Sequence, residues 1–189
     1  MSNNKGFTLV ELAIVLMIIG VILGGVVKGT ELVTNAKTKR LYRDYQNVQT
    51  AYLAYLDRTG ETPGDITDAQ TDANRDNKVS DNTNFWQELR SENLYDTAGA
   101  ADSIPNHVFG GSMTATAGTS TANIMDFTNN NLVCFNEVLD KNAESLDKLF
   151  DDGNGTTGEI RHAAAATTAD AAAYSTTDGA TGTICIALD

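Results

Sequence analysis

Basic residues, histidines and cysteines are scarce in this sequence, and each scarcity narrows the range of functions. Its 189 residues include 13 Lys and Arg against 25 Asp and Glu, for a formal net charge of −12. Because a phosphate-binding surface has to be basic, this excess of carboxylates argues against direct binding of nucleic acid. Two His and two Cys leave little material for a zinc cage or a haem site. The composition therefore favours a structural or binding protein over a metalloenzyme.

Proline is also rare, and none precedes Pro63. The charges divide near the same place, because residues 1–58 carry seven basic and four acidic side chains, whereas residues 59–189 carry six basic and 21 acidic ones. The first part is apolar and then helix-periodic, and the second is rich in Asp, Asn, Thr, Gly and Ala. This division predicts an N-terminal helical stalk followed by an acidic globular head.

The stalk begins with a long apolar segment. Phe7 to Val27 are 21 residues with one charge, Glu11, and a helix of that length spans about 30 Å, the thickness of the hydrocarbon core of a bilayer. A cleaved signal peptide would have a shorter apolar run and a small-x-small cleavage site before a polar start, neither of which is present. A simple transmembrane anchor fits the length but leaves Glu11 unexplained.

Glu11 is the unusual residue of this segment. A carboxylate at the centre of a bilayer costs about 2.5–3.5 kcal/mol and needs a cationic partner. No Lys or Arg lies within the apolar run. The partner must therefore come from another chain or from an N-terminal amine that is produced by cleavage.

The residues Lys5–Glu11, in the order basic, Gly, Phe, Thr, Leu, Val, Glu, are followed by an unbroken apolar stretch. This arrangement resembles the class III signal of type IV prepilins and type II secretion pseudopilins. The resemblance implies cleavage after Gly6 by a prepilin peptidase and N-methylation of the new N-terminus, Phe7. It also implies that Glu11 neutralises the amine of a neighbouring subunit during assembly.

The function that the resemblance implies is that of a structural subunit of a type IV pilus-like filament. Its partners would be further copies of the chain in a helical homopolymer, the prepilin peptidase, the assembly machinery of the bacterial inner membrane, and the membrane itself before assembly. The head would lie in the periplasm and later in an extracellular filament or a periplasmic pseudopilus. The alternatives are a pseudopilin or minor pilin of a secretion or DNA-uptake machine, and a monomeric membrane-anchored binding protein.

The expected fold is α+β, with a long N-terminal helix packed on a small antiparallel β-sheet head that has long loops. The expected parts are a leader peptide (1–6), a transmembrane and filament-core helix (7–30), the soluble half of the stalk helix (31–60) and the acidic head (61–189).

Helical periodicity continues from Glu31 to about Asp57. Gly60 is a candidate C-cap, and Pro63 is a stop signal. Apolar side chains recur at steps of three and four residues, and we expect the face that they form to pack on a sheet: Leu41, Tyr45, Val48, Tyr52, Tyr55 and Leu56.

Shorter elements are predicted in the head. Phe85–Leu94 is expected to form an amphipathic helix with Asn84 as its N-cap, and Ala143–Phe150 a second helix that ends at a turn over residues 151–155. Residues 163–183 are expected to form an exposed loop. Short strand-like runs are Val108–Phe109, Ile124–Phe127, Leu132–Phe135 and Ile184–Leu188.

One loop of the head has the alternating oxygen side chains of a calcium site. It resembles the first part of an EF-hand loop, in which alternation turns the ligands toward one point. Asn77 stands where Gly is usual and Thr83 where a bidentate Glu is usual, so an ordinary Asp/Asn-rich surface loop is the alternative. The candidate calcium ligands are Asp72, Asn74, Asp76, Lys78 and Asp81.

Cys134 and Cys185 are the only cysteines. Pilin heads often pin their C-terminal region with a disulfide, and an oxidising compartment outside the cell favours the same pairing here over two buried free thiols. No motif of a catalytic site accompanies His107 or His162. We therefore expect no enzymatic activity and no required cofactor.

Overall fold

The computed structural model describes residues 8–65, 76–96, 103–118, 125–164 and 170–188. Three helices and one antiparallel four-stranded sheet make up this part of the chain, so the predicted α+β class is confirmed. In chain order the elements are α1 (Leu9–Thr59), α2 (Asn82–Ser91), β1 (Met113–Ala117), β2 (Asn131–Leu139), α3 (Asp140–Phe150), β3 (Ile160–Ala163) and β4 (Thr181–Ala187).

The chain divides into two compact units between Ala36 and Lys37, and α1 belongs to both. In the N-terminal unit every large apolar side chain from Leu9 to Val33 is at least 46% exposed. Among the described residues, α1 is the one helix that is long and apolar enough to cross a membrane, judged by length and composition. None of its most apolar segment is buried.

The C-terminal unit begins with Lys37 and contains the hydrophobic core. The predicted stripe of α1 is buried from Leu41 to Tyr55 and packs with Phe135, Ile184 and Ile186 of the sheet. The Tyr45 hydroxyl also donates a hydrogen bond of 2.6 Å to the carbonyl oxygen of Ala187. The stripe was predicted from its periodicity, and its packing on a sheet is confirmed.

The sheet has the strand order β1-β2-β4-β3, with each neighbouring pair antiparallel. Its two central strands are buried on both faces over most of their length. One face joins the core formed with α1, and the other carries a smaller cluster that includes Leu132, Phe127 and Met125. The pairing of β2 with β4 is irregular between Phe135 and Val138, and Glu137 has a φ of 59° within this bulge.

Several predicted boundaries are wrong. Helix α2 begins at Asn82 rather than after Asn84, because the Asp81 carboxylate accepts the Asn84 backbone N–H at 2.9 Å and caps the helix. The Asn82 side-chain oxygen instead accepts hydrogen bonds from the Trp86 indole and the Ala115 backbone N–H.

The strand predictions are also only partly right. Val108–Phe109 lie outside the sheet, and Met125 and Asp126 have positive φ, which is incompatible with a strand. Strand β1 was not predicted, whereas the strand-like Glu-Ile-Arg residues before His162 overlap β3. The predicted loop of residues 163–183 contains the end of β3 and the start of β4, so it is not wholly a loop.

Candidate functional site

The first turn of α1 is closed by a reciprocal pair of hydrogen bonds between Thr8 and Glu11. The Glu11 carboxylate oxygen Oε2 accepts the Thr8 backbone N–H at 2.8 Å and the Thr8 hydroxyl at 2.9 Å. The Thr8 hydroxyl oxygen in turn accepts the Glu11 backbone N–H at 3.3 Å. Thr-x-x-Glu with this geometry is a capping box, which satisfies backbone donors that a helix start leaves unpaired.

The capping box holds the carboxylate of Glu11 at the start of a helix whose apolar surface is exposed. A negative charge is favourable there because the helix macrodipole is positive at its N-terminus. Both hydrogen bonds use Oε2, and among the described residues Oε1 accepts none. The predicted processing residues, Gly6 and Phe7, lie outside the described residues.

Cys134 and Cys185 are joined by a disulfide, and the described cysteines include no free thiol. They face each other directly on β2 and β4, with a Cα–Cα distance of 4.1 Å. The bond therefore ties the last strand of the chain to the centre of the sheet.

The predicted calcium loop is only partly within the described residues, because Asp72 and Asn74 lie outside them. Asp76 accepts the backbone N–H of Lys78 at 3.2 Å. The Lys78 ammonium donates to the side-chain oxygen of Asn129 at 2.8 Å, and Asp81 caps α2. Calcium binding by this loop remains a prediction.

A different acidic cluster follows α3. Asp147, Asp151 and Asp152 each offer a carboxylate oxygen within 4.8 Å of the others, and such a group could hold a metal ion. Each carboxylate of the cluster already accepts two hydrogen bonds from the protein. Asp147 accepts the Gly153 N–H and the Tyr174 hydroxyl, and Asp151 accepts two backbone N–H groups. Asp152 accepts the Asn154 N–H and the Thr157 hydroxyl. Burial raises the pKa of Asp147, although its two hydrogen bonds oppose the shift.

His107 is buried as a neutral ring. Its Nε2 donates to the carbonyl oxygen of Asn136 at 2.7 Å, and its Nδ1 accepts the backbone N–H of Phe109 at 3.3 Å. Burial lowers the pKa of His107, against the opposing effects of the Asn136 carbonyl, Asp44 and Glu137. His107 therefore packs in the interior and connects the loop before β1 to strand β2.

His162 differs from His107 because both of its ring nitrogens face oxygen atoms. Its side chain is fully buried, with Nε2 3.2 Å from Oδ1 of Asp140 and Nδ1 3.1 Å from the carbonyl oxygen of Ala172. Because both ring nitrogens face oxygens, a proton has to lie between Nε2 and the carboxylate. The other Asp140 oxygen accepts the Ser175 backbone N–H at 2.8 Å.

Together these bonds fasten residues 170–175, here called the strap, to β3 and α3. The Tyr174 hydroxyl donates to Asp147 at 2.6 Å, and Ala172 N–H donates to the His162 carbonyl at 2.7 Å. Glycine is required beneath the ring, since a Cβ at Gly182 would lie 2.1 Å from His162 Nε2. The pair of Asp140 and His162 was not predicted, because no sequence motif links two residues that are 22 positions apart.

Comparison with known proteins bears on the N-terminal segment. The first 27 residues match the family model of the prokaryotic N-terminal methylation motif. The matched range contains Gly6, Phe7 and Glu11, and the resemblance to prepilins is confirmed for this segment. The roles of these three residues remain predictions. The motif covers too little of the chain to describe the C-terminal unit.

No curated protein shows significant similarity to the sequence. Among solved structures, the fold is similar to that of the major type IV pilin PilA1 from Clostridium difficile, with 13% identity, a TM-score of 0.47, and coverage of 82% of this chain and 96% of that chain. At that identity and that TM-score, the likeness does not extend to function.

Proposed function

We propose that this protein is a structural subunit of a type IV pilus-like filament. A leader of residues 1–6 is removed by cleavage after Gly6, Phe7 is N-methylated, and the apolar part of α1 first anchors the subunit in the inner membrane. The C-terminal unit then lies on the periplasmic side until the subunit joins the filament. The role is structural, and no catalytic step or required cofactor is part of it.

The observation that carries the proposal is the exposed apolar surface of α1 next to the methylation motif. Side chains from Leu9 to Val33 are exposed along more than six helical turns. Such a surface has to be covered by lipid or by other apolar helices, because burial of apolar area is favourable by about 25 cal/mol per Å². Because the methylation motif lies at the start of this surface, we infer that membrane lipid covers it first and that the helices of neighbouring subunits cover it after assembly.

Glu11 supplies the specificity of assembly in this proposal. Cleavage produces a cationic amine at Phe7, and a neighbouring subunit that is shifted along the filament axis can bring its amine to Glu11. The Thr8 hydrogen bonds hold the carboxylate in place through one oxygen. Charge pairing then sets the axial register, while apolar contacts supply most of the affinity.

A pseudopilin or minor pilin would carry the same motif, and a monomeric membrane-anchored protein would share only the apolar helix.

Electron microscopy of sheared surface material from the native host, with antibody against the C-terminal unit, distinguishes these three functions. Long labelled filaments support a pilus subunit. Labelling confined to the cell envelope and short fibres supports a pseudopilin, and labelled protein that stays monomeric in the membrane rejects the proposal.

Calcium binding at the Asp72–Asp81 loop is a separate proposal, and thermal melting of the purified full-length chain tests it. A ligand that binds only the folded state raises the melting temperature. An increase with millimolar Ca²⁺ that Asp76→Asn abolishes supports the loop as the site, whereas an unchanged melting temperature rejects calcium.

A further inference from the structure

A basic, partly aromatic groove lies at the start of the C-terminal unit. Its open volume is about 420 Å³, and its lining includes Lys39, Tyr42, Arg43, Leu149 and Phe150. The rings of Tyr42 and Phe150 are stacked, with centroids 3.7 Å apart and planes 7° from parallel. Helix α1 thus supplies the cations, and the end of α3 supplies the apolar side chains.

The groove presents apolar area and positive charge to solvent at the same place. Leu149 is 52% exposed and Phe150 39% exposed. Lys39 and Arg43 are exposed, and the ion pairs within the described parts of the chain involve neither of them. The half-buried carboxylate of Asp44 interacts electrostatically with Arg43 from the adjacent position. The neighbouring carboxylates of Asp151 and Asp152 are turned into their own loop by the hydrogen bonds described above.

The opposite combination lies toward the end of the same helix. Leu53 is 51% exposed, and Asp57 is exposed one helical turn further on, so an apolar side chain stands beside negative charge. Glu61 is exposed just beyond the end of α1 at Thr59. We call Leu53, Asp57 and Glu61 the acidic knob. Arg58 lies nearby, but its guanidinium contacts the Glu92 carbonyl oxygen at 3.1 Å and the Glu92 carboxylate at 3.9 Å.

The two patches share one face of α1. From Lys39 the exposed positions Arg43, Gln46, Thr50, Leu53 and Asp57 follow at steps of four and three residues, which places them along one side of the helix. Arg43 and Asp57 lie about 21 Å apart at a rise of 1.5 Å per residue. They therefore cannot pair within one chain.

We propose that the acidic knob of a second copy of this chain occupies the basic groove, with its Leu53 against Leu149 and Phe150 and its Asp57 beside Lys39 and Arg43. The groove combines positive charge with exposed apolar side chains, and the knob combines negative charge with the exposed side chain of Leu53. This inference rests on the proposed filament, and it identifies a contact between C-terminal units in addition to the apolar helix.

A contact between two different patches has a consequence for assembly. When the helices run parallel, as in the proposed filament, the contact leaves a vacant groove on one subunit and a vacant knob on the other, so further copies can add. An antiparallel pair would fill both patches at once and would stop at a dimer. The distance between the patches requires neighbouring subunits to be offset by about 21 Å along the helix axis. Electrostatic complementarity fixes that register more than it adds affinity.

Charge reversal in the full-length chain in its native host tests the contact. Arg43→Glu and Asp57→Arg should each lower the yield of sheared filaments at least about fivefold, because like charges then meet in the contact. The double variant, with both charges exchanged, should restore most of the yield. Lys141→Glu makes the same charge change as Arg43→Glu at an exposed position of α3. It is the matched control for that variant and should assemble normally.

Intact mass and membrane content show whether each variant is inserted and cleaved, so that loss of filaments is not confused with loss of protein. Wild-type yield from both single variants overturns the groove-and-knob contact while leaving the proposed function intact. A double variant that assembles no better than the single variants also overturns it. If the wild type itself makes no filament, the proposed function has failed rather than this contact.

Discussion

Glu11 and Thr8 hold each other at the start of α1, so the one charged residue of the apolar segment is engaged by its own helix. Its Oε2 atom accepts two hydrogen bonds from Thr8, at 2.8 and 2.9 Å. Glu11 thus has a capping role inside the subunit and a proposed charge-pairing role between subunits. Capping needs only a side-chain oxygen that accepts hydrogen bonds, whereas charge pairing needs the negative charge of the carboxylate. A substitution that keeps the oxygen and removes the charge therefore separates the two roles.

The first prediction concerns Glu11→Gln and Glu11→Ala. A Gln amide oxygen can still cap the Thr8 backbone N–H, but it has no charge for the amine of a neighbouring Phe7. We therefore expect both variants to be inserted and cleaved normally and both to fail in filament assembly. Removing one member of a buried charge pair costs about 3–5 kcal/mol because the other stays unpaired.

Glu11→Asp is the matched control for the charge, and it should assemble better than Glu11→Gln. The measurement is filament yield per amount of cleaved subunit. If Glu11→Gln assembles at the wild-type level, capping rather than charge is the function of Glu11, and the axial register has to come from other contacts.

The second prediction concerns the disulfide. Closing a span of 51 residues is worth about 4 kcal/mol in the chain-entropy model. The Cys134→Ala/Cys185→Ala variant should lose free energy of unfolding by about 2–5 kcal/mol. Trp86, the only Trp, is 1% exposed and its fluorescence reports unfolding of the C-terminal unit in the detergent-solubilised chain. Two alkylatable thiols in exported wild-type protein would contradict the bond.

The third prediction concerns the buried pair of Asp140 and His162. Asp140→Ala should destabilise the C-terminal unit by about 3–5 kcal/mol and should raise hydrogen exchange in the strap, because Ser175 N–H and the His162 ring lose their acceptor. Asp140→Asn should be milder, since its amide can accept from Ser175 and donate to a neutral ring. Asp178→Ala, at an exposed site, is the control. Equal stability of Asp140→Ala and the control is the outcome that rejects the prediction.

The fourth prediction is a pH dependence set by His107. Burial lowers its pKa in the folded state, so the unfolded chain takes up the proton first, near the ordinary value of 6.5. Stability therefore falls as the pH drops below about 6.5, by up to about 1.4 kcal/mol for each unit of difference in pKa. His107→Gln should lack this contribution, so its stability relative to the wild type should rise between pH 7.5 and pH 5. Parallel pH profiles of the two proteins would refute it.

Sequence periodicity was sufficient to predict those elements that bury one continuous face. The stripe of α1 from Leu41 to Tyr55 was predicted because a helix repeats its buried positions every three to four residues. Helix α3 was predicted from Ala143 and begins three residues earlier, at Asp140. The pairing of Cys134 with Cys185 was predicted from the family resemblance and from an oxidising compartment outside the cell.

Periodicity failed where pairing between strands decides the structure. Strand β1 reads Met-Thr-Ala-Thr-Ala and has too little hydrophobicity to stand out, but β2 provides its hydrogen-bond partners. Strand β3 is four residues long and lies at the edge of the sheet beside β4. The Asp140–His162 pair joins residues 22 positions apart, and only the tertiary fold brings them together.

The most direct test of the filament account is the intact mass of this chain recovered from sheared filaments of the native host. The account predicts that filaments contain the chain, beginning at N-methylated Phe7 and lacking Met1–Gly6, with the disulfide intact. Filaments without this chain, or a chain that retains its first six residues, would contradict it.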